Sequence, residues 1–196
     1  IANAIYPLAV SDTTVNGLPF DELLTFINTD DSEVDGFEMN LFKELNMLPA
    51  PLDGLFISMN FTKTKGTSSL EVDSGTVSFP FRKLSEDNAN ISIGYDKNKF
   101  DIRLSRVSRS PYLDYLADDD SETIQEDLDN NNIRYTDHHD QLDFNLKYKI
   151  NKQMSLKFDI SNITDEPEFY YWGTPDRLSQ YDLYGRTYSI GIRYNL

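Results

Sequence analysis

Tyr188, Ile190, Ile192, Tyr194 and Leu196 fall on one side of the closing segment, and Ser189, Gly191, Arg193 and Asn195 on the other. That two-residue period is the mark of an extended strand with an apolar and a polar face. It recurs along the chain. Phe37, Met39, Leu41 and Leu45 alternate with Glu38, Asn40 and Glu44, with Phe42 as an exception on the polar side; Leu55, Ile57, Met59 and Phe61 alternate with Ser58, Asn60 and Thr62. Ile91, Ile93 and Tyr95 lead through Asp96–Lys99 into Phe100, Ile102 and Leu104, which oppose Asp101, Arg103 and Ser105. Leu142, Phe144, Leu146, Tyr148 and Ile150 oppose Asp143, Asn145, Lys147 and Lys149, and Leu156, Phe158 and Ile160 oppose Lys157, Asp159 and Ser161. With an opening strand at Ile1–Tyr6, the pattern predicts about eight strands.

The connections carry a second pattern. Links near 46–53, 96–99 and 151–154 are short, whereas those near 8–32, 66–88, 106–134 and 164–185 are long and polar, and the two kinds alternate. In an antiparallel up-and-down meander this gathers every short turn at one end and every long loop at the other, with the C-terminus at the short-turn end. Outer-membrane barrels have this asymmetry, with periplasmic turns and extracellular loops. The expected fold is therefore all-β, an antiparallel up-and-down transmembrane β-barrel segment. A soluble sandwich or lipocalin-like barrel would show the same alternation with its apolar face turned inward. Against it stand the mixed charges on the polar faces, among them Arg103, Lys147, Lys149, Lys157 and Arg193, the aromatic strand ends and the one-sided loop lengths.

Composition adjusts this picture only slightly. The chain has 196 residues, no cysteine and a formal charge of -15. Lack of cysteine excludes disulfides and thiolate metal sites, and fits a cytosolic or an outer-membrane protein equally. No stretch reaches the roughly 20 apolar residues of a membrane helix, and the negative mean hydropathy is what a barrel gives when only alternate residues face lipid. The absence of an initiator Met and of a signal peptide at Ile1 reads as a processed or truncated start. The acidic balance argues against nucleic acid as a partner.

Asn162-Ile-Thr-Asp-Glu-Pro167, Phe169-Tyr-Tyr-Trp-Gly173, Arg177-Leu-Ser-Gln-Tyr181 and Tyr184-Gly-Arg-Thr-Tyr-Ser-Ile-Gly-Ile-Arg-Tyr194 together resemble the C-terminal end of TonB-dependent outer-membrane receptors. Phe26-Ile-Asn28, Val34-Asp-Gly-Phe-Glu38 and Leu48-Pro-Ala-Pro-Leu-Asp-Gly54 resemble upstream segments of the same barrels. The resemblance implies the last third or so of a large barrel, of the 22-stranded plugged kind, with the plug domain and the segment that engages the TonB-type coupling protein outside this chain. It implies the outer membrane of a Gram-negative bacterium, active uptake of a carbohydrate or ferric siderophore, and partners that include outer-membrane lipid and lipopolysaccharide. The closing strand is also similar to the signal read by the barrel-assembly machinery, carried here by Gly191, Tyr194 and Leu196, the last standing where the family usually has Phe.

The competing architecture is a complete small eight-stranded barrel with a structural or adhesion role, which requires the opening strand to pair with the closing one. Phe169–Trp172 reads as an interfacial aromatic girdle or as a ligand platform, with Tyr171 and Trp172 as stacking residues and Arg177 as a clamp for an anionic group. The run Asp118–Glu122 with Glu126, Asp127 and Asp129 is the densest acidic stretch, but a calcium loop wants a turn glycine, and none occurs between 95 and 172. No metal or cofactor is expected. His138-His139-Asp140 is the one histidine cluster, and an enzyme is not expected from it because adjacent residues at a strand start point to opposite faces.

Overall fold

A computed structural model describes residues 5–28, 31–72, 75–116 and 124–195. In chain order its elements are β1 (Ile5–Val15), β2 (Leu18–Asn28), β3 (Asp31–Glu44), a 3-10 turn at Leu52–Gly54, β4 (Leu55–Val72), β5 (Gly75–Pro80), β6 (Asp87–Lys97), β7 (Phe100–Arg109), β8 (Tyr112–Leu116), α1 (Ile124–Asp129), β9 (Ile133–Thr136), β10 (His139–Lys149), β11 (Met154–Ser161), β12 (Glu168–Trp172), β13 (Leu178–Asp182) and β14 (Thr187–Tyr194).

One antiparallel sheet runs β14-β11-β10-β7-β6-β4-β3, with β5 added to the far half of β4. Its register aligns the apolar files into rows. One crosses Tyr188, Ile160, Phe144, Leu104, Ile93 and Ile57, and the next crosses Ile190, Phe158, Leu146, Ile102, Tyr95 and Leu55. Along β10 the file from Leu142 to Ile150 covers about 27 Å at ~3.4 Å per residue, and a tilt of about 40° leaves roughly 21 Å of height, close to the apolar belt of an outer-membrane barrel. None of these side chains is fully buried, and on β14 they are bare: Ile190 is 76% exposed and Ile192 71%. A sandwich would have covered them with a second sheet.

The opposite face is polar and self-satisfied. Asn145 and Ser189 both donate to the carboxylate of Asp159, at 2.9 and 3.1 Å. Asn60 donates to Glu38 and Asn40 at 2.9 and 2.7 Å, and the hydroxyls of Ser92 and Ser105 meet at 2.8 Å. Phe42, the apolar exception on this side, packs on Phe56 with ring centroids 5.6 Å apart. Phe56 in turn lies flat over Gly94, where a Cβ would come within 2.1 Å of the ring, and Arg103 sits 5.4 Å from its far centroid. A missing side chain on β6 is thus filled by an aromatic from β4.

Short turns join β3 to β4, β6 to β7 and β10 to β11, all at one end of the sheet, as the link pattern predicts. Asn98 turns the second with φ 58°, and the Asn151 carboxamide oxygen accepts from the backbone of Gln153 and Met154 in the third. In the first, Lys97 donates to Asp53 and holds its carboxyl below the ordinary range. Both sheet edges are open among the described residues: β3 pairs with β4 and β14 with β11. Among the described residues β1 pairs with β2 and β14 with β11, without the β1–β14 pairing that a closed eight-stranded barrel requires. Residues 1–4 of the predicted opening strand and Leu196 lie outside the described residues.

The expectation of four long loops is corrected. Segment 8–32 is largely a hairpin, β1–β2, turned at Asn16 and Gly17 with positive φ at both, the signature of a tight primed turn. Segments 66–88, 106–134 and 164–185 contain β5, β8, α1, β9, β12 and β13, and β13-β12-β9-β8 form a second antiparallel sheet. Leu70, Val77 and Phe79 of the β4–β5 tip pack with Leu113, Leu116 and Ile133 of β8 and β9, with Leu128 of α1 against them. Among the described residues this cluster holds most of the buried apolar side chains, half of them from β4 and β5, whereas the rest of the membrane sheet buries only Phe56.

Candidate ligand face of the outer cap

Alternation gives the cap sheet two unlike faces. Tyr135, Tyr171, Ile133 and Leu113 turn to the core, Tyr171 being 7% exposed and stacked on Tyr135 at 5.5 Å. Phe169 joins them, edge-on to Tyr181 at 6.2 Å. On the other face the register places Tyr170 beside Thr136 and Gln180, Trp172 beside Arg134, and Tyr112 beside Thr136.

Guanidinium groups organise this second face. Arg134 lies 4.5 Å from the centroid of Tyr170, donates to the Gln180 side chain at 2.9 Å and stands 3.6 Å from the Asp114 carboxylate. Arg109 lies 5.0 Å from the Tyr112 centroid and donates to Glu168 at 3.1 Å. Arg82 completes the series 5.8 Å from Tyr115. Such cation–π contacts fix both partners in orientation. Burial pushes the phenols of Tyr170 and Tyr171 up, so both remain protonated donors at neutral pH.

The face continues the polar wall below it. Arg109 on β7 and His139 on β10 share the side of the sheet that carries Asn145 and Asp159, and both reach Glu168 of β12, His139 at 3.6 Å. Beneath the aromatics the Thr136 hydroxyl, 1% exposed, has no hydrogen-bond partner among the described residues, and neither have Arg134 Nε and His139 Nδ1. Buried donors of this kind are ordinarily met by water or ligand.

The candidate residues separate accordingly. Trp172 lies on the open face with Tyr170, and Tyr171, which the expectation named as a stacking residue, turns to the core. Arg177 shares the β12–β13 hairpin with Trp172, whose N–H donates to the Arg177 carbonyl at 2.9 Å, and its guanidinium donates to the Asn131 carbonyl at 3.2 Å. Tyr112, Arg109, Arg134 and Gln180 escaped the sequence reading, and Tyr170, part of the Phe169–Trp172 platform, was not singled out although its parity with Trp172 was the available signal.

His138 and His139 diverge as adjacent residues must. His138 is exposed, 3.1 Å from Asp137, and lines a recess with Arg106, Asp140, Thr164 and Glu166 on the apolar side. Asp118–Glu122 lies outside the described residues; Asp127 and Asp129 of α1 accept from Asn132 and Gln125. Of the assembly-signal residues, Gly191 faces the polar side with open space above it, Tyr194 is exposed on the apolar side opposite Met154, and Leu196 is not described.

The family described as TonB dependent receptor-like, beta-barrel, matches residues 2–163. The match stops where the C-terminal motifs begin, so it is independent of most residues that carried the resemblance. Neither a curated protein nor a solved structure matches the chain. The family comprises receptor and transport barrels of the Gram-negative outer membrane. With a family match over most of its length and an open, alternating, antiparallel wall, the chain belongs to the TonB-dependent receptor β-barrel family.

Proposed function

We propose that this chain is the C-terminal part of the barrel of an active outer-membrane receptor, which takes up a carbohydrate or a ferric siderophore with energy delivered by a TonB-type coupling protein. In this reading the plug and the coupling segment belong to polypeptide outside the chain, and strands outside it close the barrel at the free edges of β3 and β14. The observation that carries the uptake role is the continuity of the Tyr112, Tyr170, Trp172 and Arg134 face with the polar wall, which offers a ligand a stacking surface at the mouth of the lumen. Outer-leaflet lipopolysaccharide fits the other side, where Arg106 pairs with Asp140 and Lys63 with Asp87 just beyond the apolar rows on the long-loop side. The barrel-assembly machinery would read β14.

The test is calorimetric titration of the intact receptor with a panel of oligosaccharides and ferric siderophores. Tyr170→Ala and Trp172→Ala should each weaken the bound member of the panel about tenfold, since desolvated aromatic contacts carry roughly 0.5–1.5 kcal/mol beyond area burial. Unchanged affinity in both variants removes the cap face from the ligand path.

A further inference from the structure

The apolar side of the membrane sheet ends differently at top and bottom. At the long-loop end the cations that close its rows meet carboxylates across the sheet, Lys63 with Asp87 at 2.8 Å and Arg106 with Asp140. At the short-turn end Lys43 continues the apolar file of β3 beside Ile57, Lys97 continues that of β6 beside Phe100, and Lys99 follows in the β6–β7 turn. The acids of that end, Glu44, Asp96 and Asp101, have the opposite parity and fall on the polar side. Lys97 is answered by Asp53 of the β3–β4 turn. No carboxylate comes within ion-pair range of Lys43 or Lys99 among the described residues. Two positive charges are left uncompensated on the side that faces lipid.

Their height matches the headgroups. From Asp87 to Lys97, β6 covers about 34 Å at ~3.4 Å per residue, and a tilt of about 40° leaves roughly 26 Å, the height of the apolar band of an outer-membrane barrel. A cation on the outer surface of a barrel is tolerated at that level and not at the midplane. Lys99 is the better fixed of the two: its Nζ lies 5.9 Å from the centroid of Tyr148 and donates to the Ile150 carbonyl at 3.4 Å, and Tyr148 packs on Phe100 with centroids 5.0 Å apart. Ring and carbonyl hold the ammonium at the rim of the apolar surface, and the carbonyl takes one of its three N–H donors.

We propose that Lys99 and Lys43 each bind the phosphate of an anionic phospholipid in the leaflet at the short-turn end, with the acyl chains lying on the apolar rows above. β4 and β6 separate the two lysines, a spacing of about 10 Å or more at ~4.8 Å per strand, so each takes its own lipid. Charge complementarity selects the headgroup. A zwitterionic lipid brings its own ammonium and offsets neither lysine, whereas a headgroup of net negative charge offsets one. The apolar surface of Tyr148, Phe100 and Ile150 beside the ammonium selects a lipid over a free phosphate ion. Contact with acyl chains belongs to any barrel wall; preference for headgroup charge is particular to these lysines. Such binding needs the membrane wall alone and is independent of what the cap face takes up.

The experiment supplies the detergent-solubilised intact receptor with phosphatidylglycerol or phosphatidylcholine of identical acyl chains and counts the retained molecules by native mass spectrometry. Wild type should retain phosphatidylglycerol in preference. Lys99→Gln should bind it about fivefold more weakly at one site, the contribution of a single lysine near an anionic surface, and Lys43→Gln with Lys99→Gln should lose both sites. Lys99→Arg should keep the wild-type count, and all variants should hold phosphatidylcholine as wild type does, which shows that they are folded. Equal retention of phosphatidylglycerol by wild type and the double variant overturns the proposal. So does a parallel loss of both lipids, which marks apolar contact alone, or displacement of phosphatidylglycerol by inorganic phosphate, which marks a free-anion site. Lys63→Gln at the long-loop end should change nothing; a loss as large as that of Lys99→Gln would show that overall charge governs retention and would equally overturn it.

Discussion

At the scale of single residues, the motifs that carried the family resemblance have local physical work. Asn162 holds φ 58° at the end of β11 and is 7% exposed, a conformation in which Asn is among the few tolerated non-glycine residues. Its side-chain oxygen accepts from the Glu166 backbone at 2.8 Å, its amide donates to the Glu166 carbonyl at 2.9 Å, and its own N–H donates to Asp143 at 2.8 Å. Arg186 then donates to the Ile163 carbonyl at 2.8 Å, so the Tyr184-Gly-Arg186 motif is tied to the Asn162-Ile-Thr-Asp165 turn. Asn162→Ala removes two hydrogen bonds and adds left-handed strain, which together should cost roughly 2–4 kcal/mol. The unfolding midpoint of the detergent-folded receptor in urea measures it; a shift no larger than that of an exposed loop alanine would show that the turn is held by something else.

At the scale of elements, the membrane strands are the part that alternation reveals, because one physical demand, lipid on one side and polar groups on the other, acts on every residue. β14 is the clearest case. Ile190 lies mid-strand on the apolar face and Ser189 beside it on the polar face. Ile190→Lys should cost about 2–4 kcal/mol near the bilayer midplane, whereas Ser189→Lys should be almost neutral. Folding equilibria in lipid vesicles distinguish them, and equal costs would place both faces in the same solvent. The cap strands were not legible for the opposite reason. A register shift between Leu113 and Tyr115 breaks the period of β8, β9 has only four residues, and Phe169–Trp172 is aromatic on both faces, so parity carries no polarity signal. Polar composition between Leu116 and Ile133 then reads as loop, although Leu116 and Ile133 meet in the core. The same ambiguity hides which of Tyr170 and Tyr171 turns to the core.

At the scale of the whole molecule, the two parts are stabilised by different solvents. The sheet from β3 to β14 buries almost nothing against itself and depends on lipid outside and polar contacts inside. The cap depends on an ordinary aqueous core, in which Leu116 is 0% exposed and Leu113 1%. Backbone hydrogen bonds from Lys83 to the Leu113 carbonyl at 2.8 Å and from Asp137 to the Phe169 carbonyl at 2.8 Å, together with the Arg109–Glu168 pair, connect the parts. An apolar cluster spans the junction as well, since Leu70 of β4 and Val77 and Phe79 of β5 pack with Leu113, Leu116 and Ile133, so a cavity in the cap should reach the β4–β5 tip and stop short of the membrane rows. Leu116→Ala should destabilise the cap by about 2–5 kcal/mol. Hydrogen exchange should then accelerate in 67–72, 75–80, 112–116, 124–136 and 168–182, while β7, β10, β11 and β14 keep wild-type protection. Loss of protection in all these strands at once would mean that cap and wall fold as one unit. If only the cap loosens, binding at the proposed ligand face should fall with it, because Tyr170, Trp172 and Arg134 are held in place by a sheet whose underside is that core.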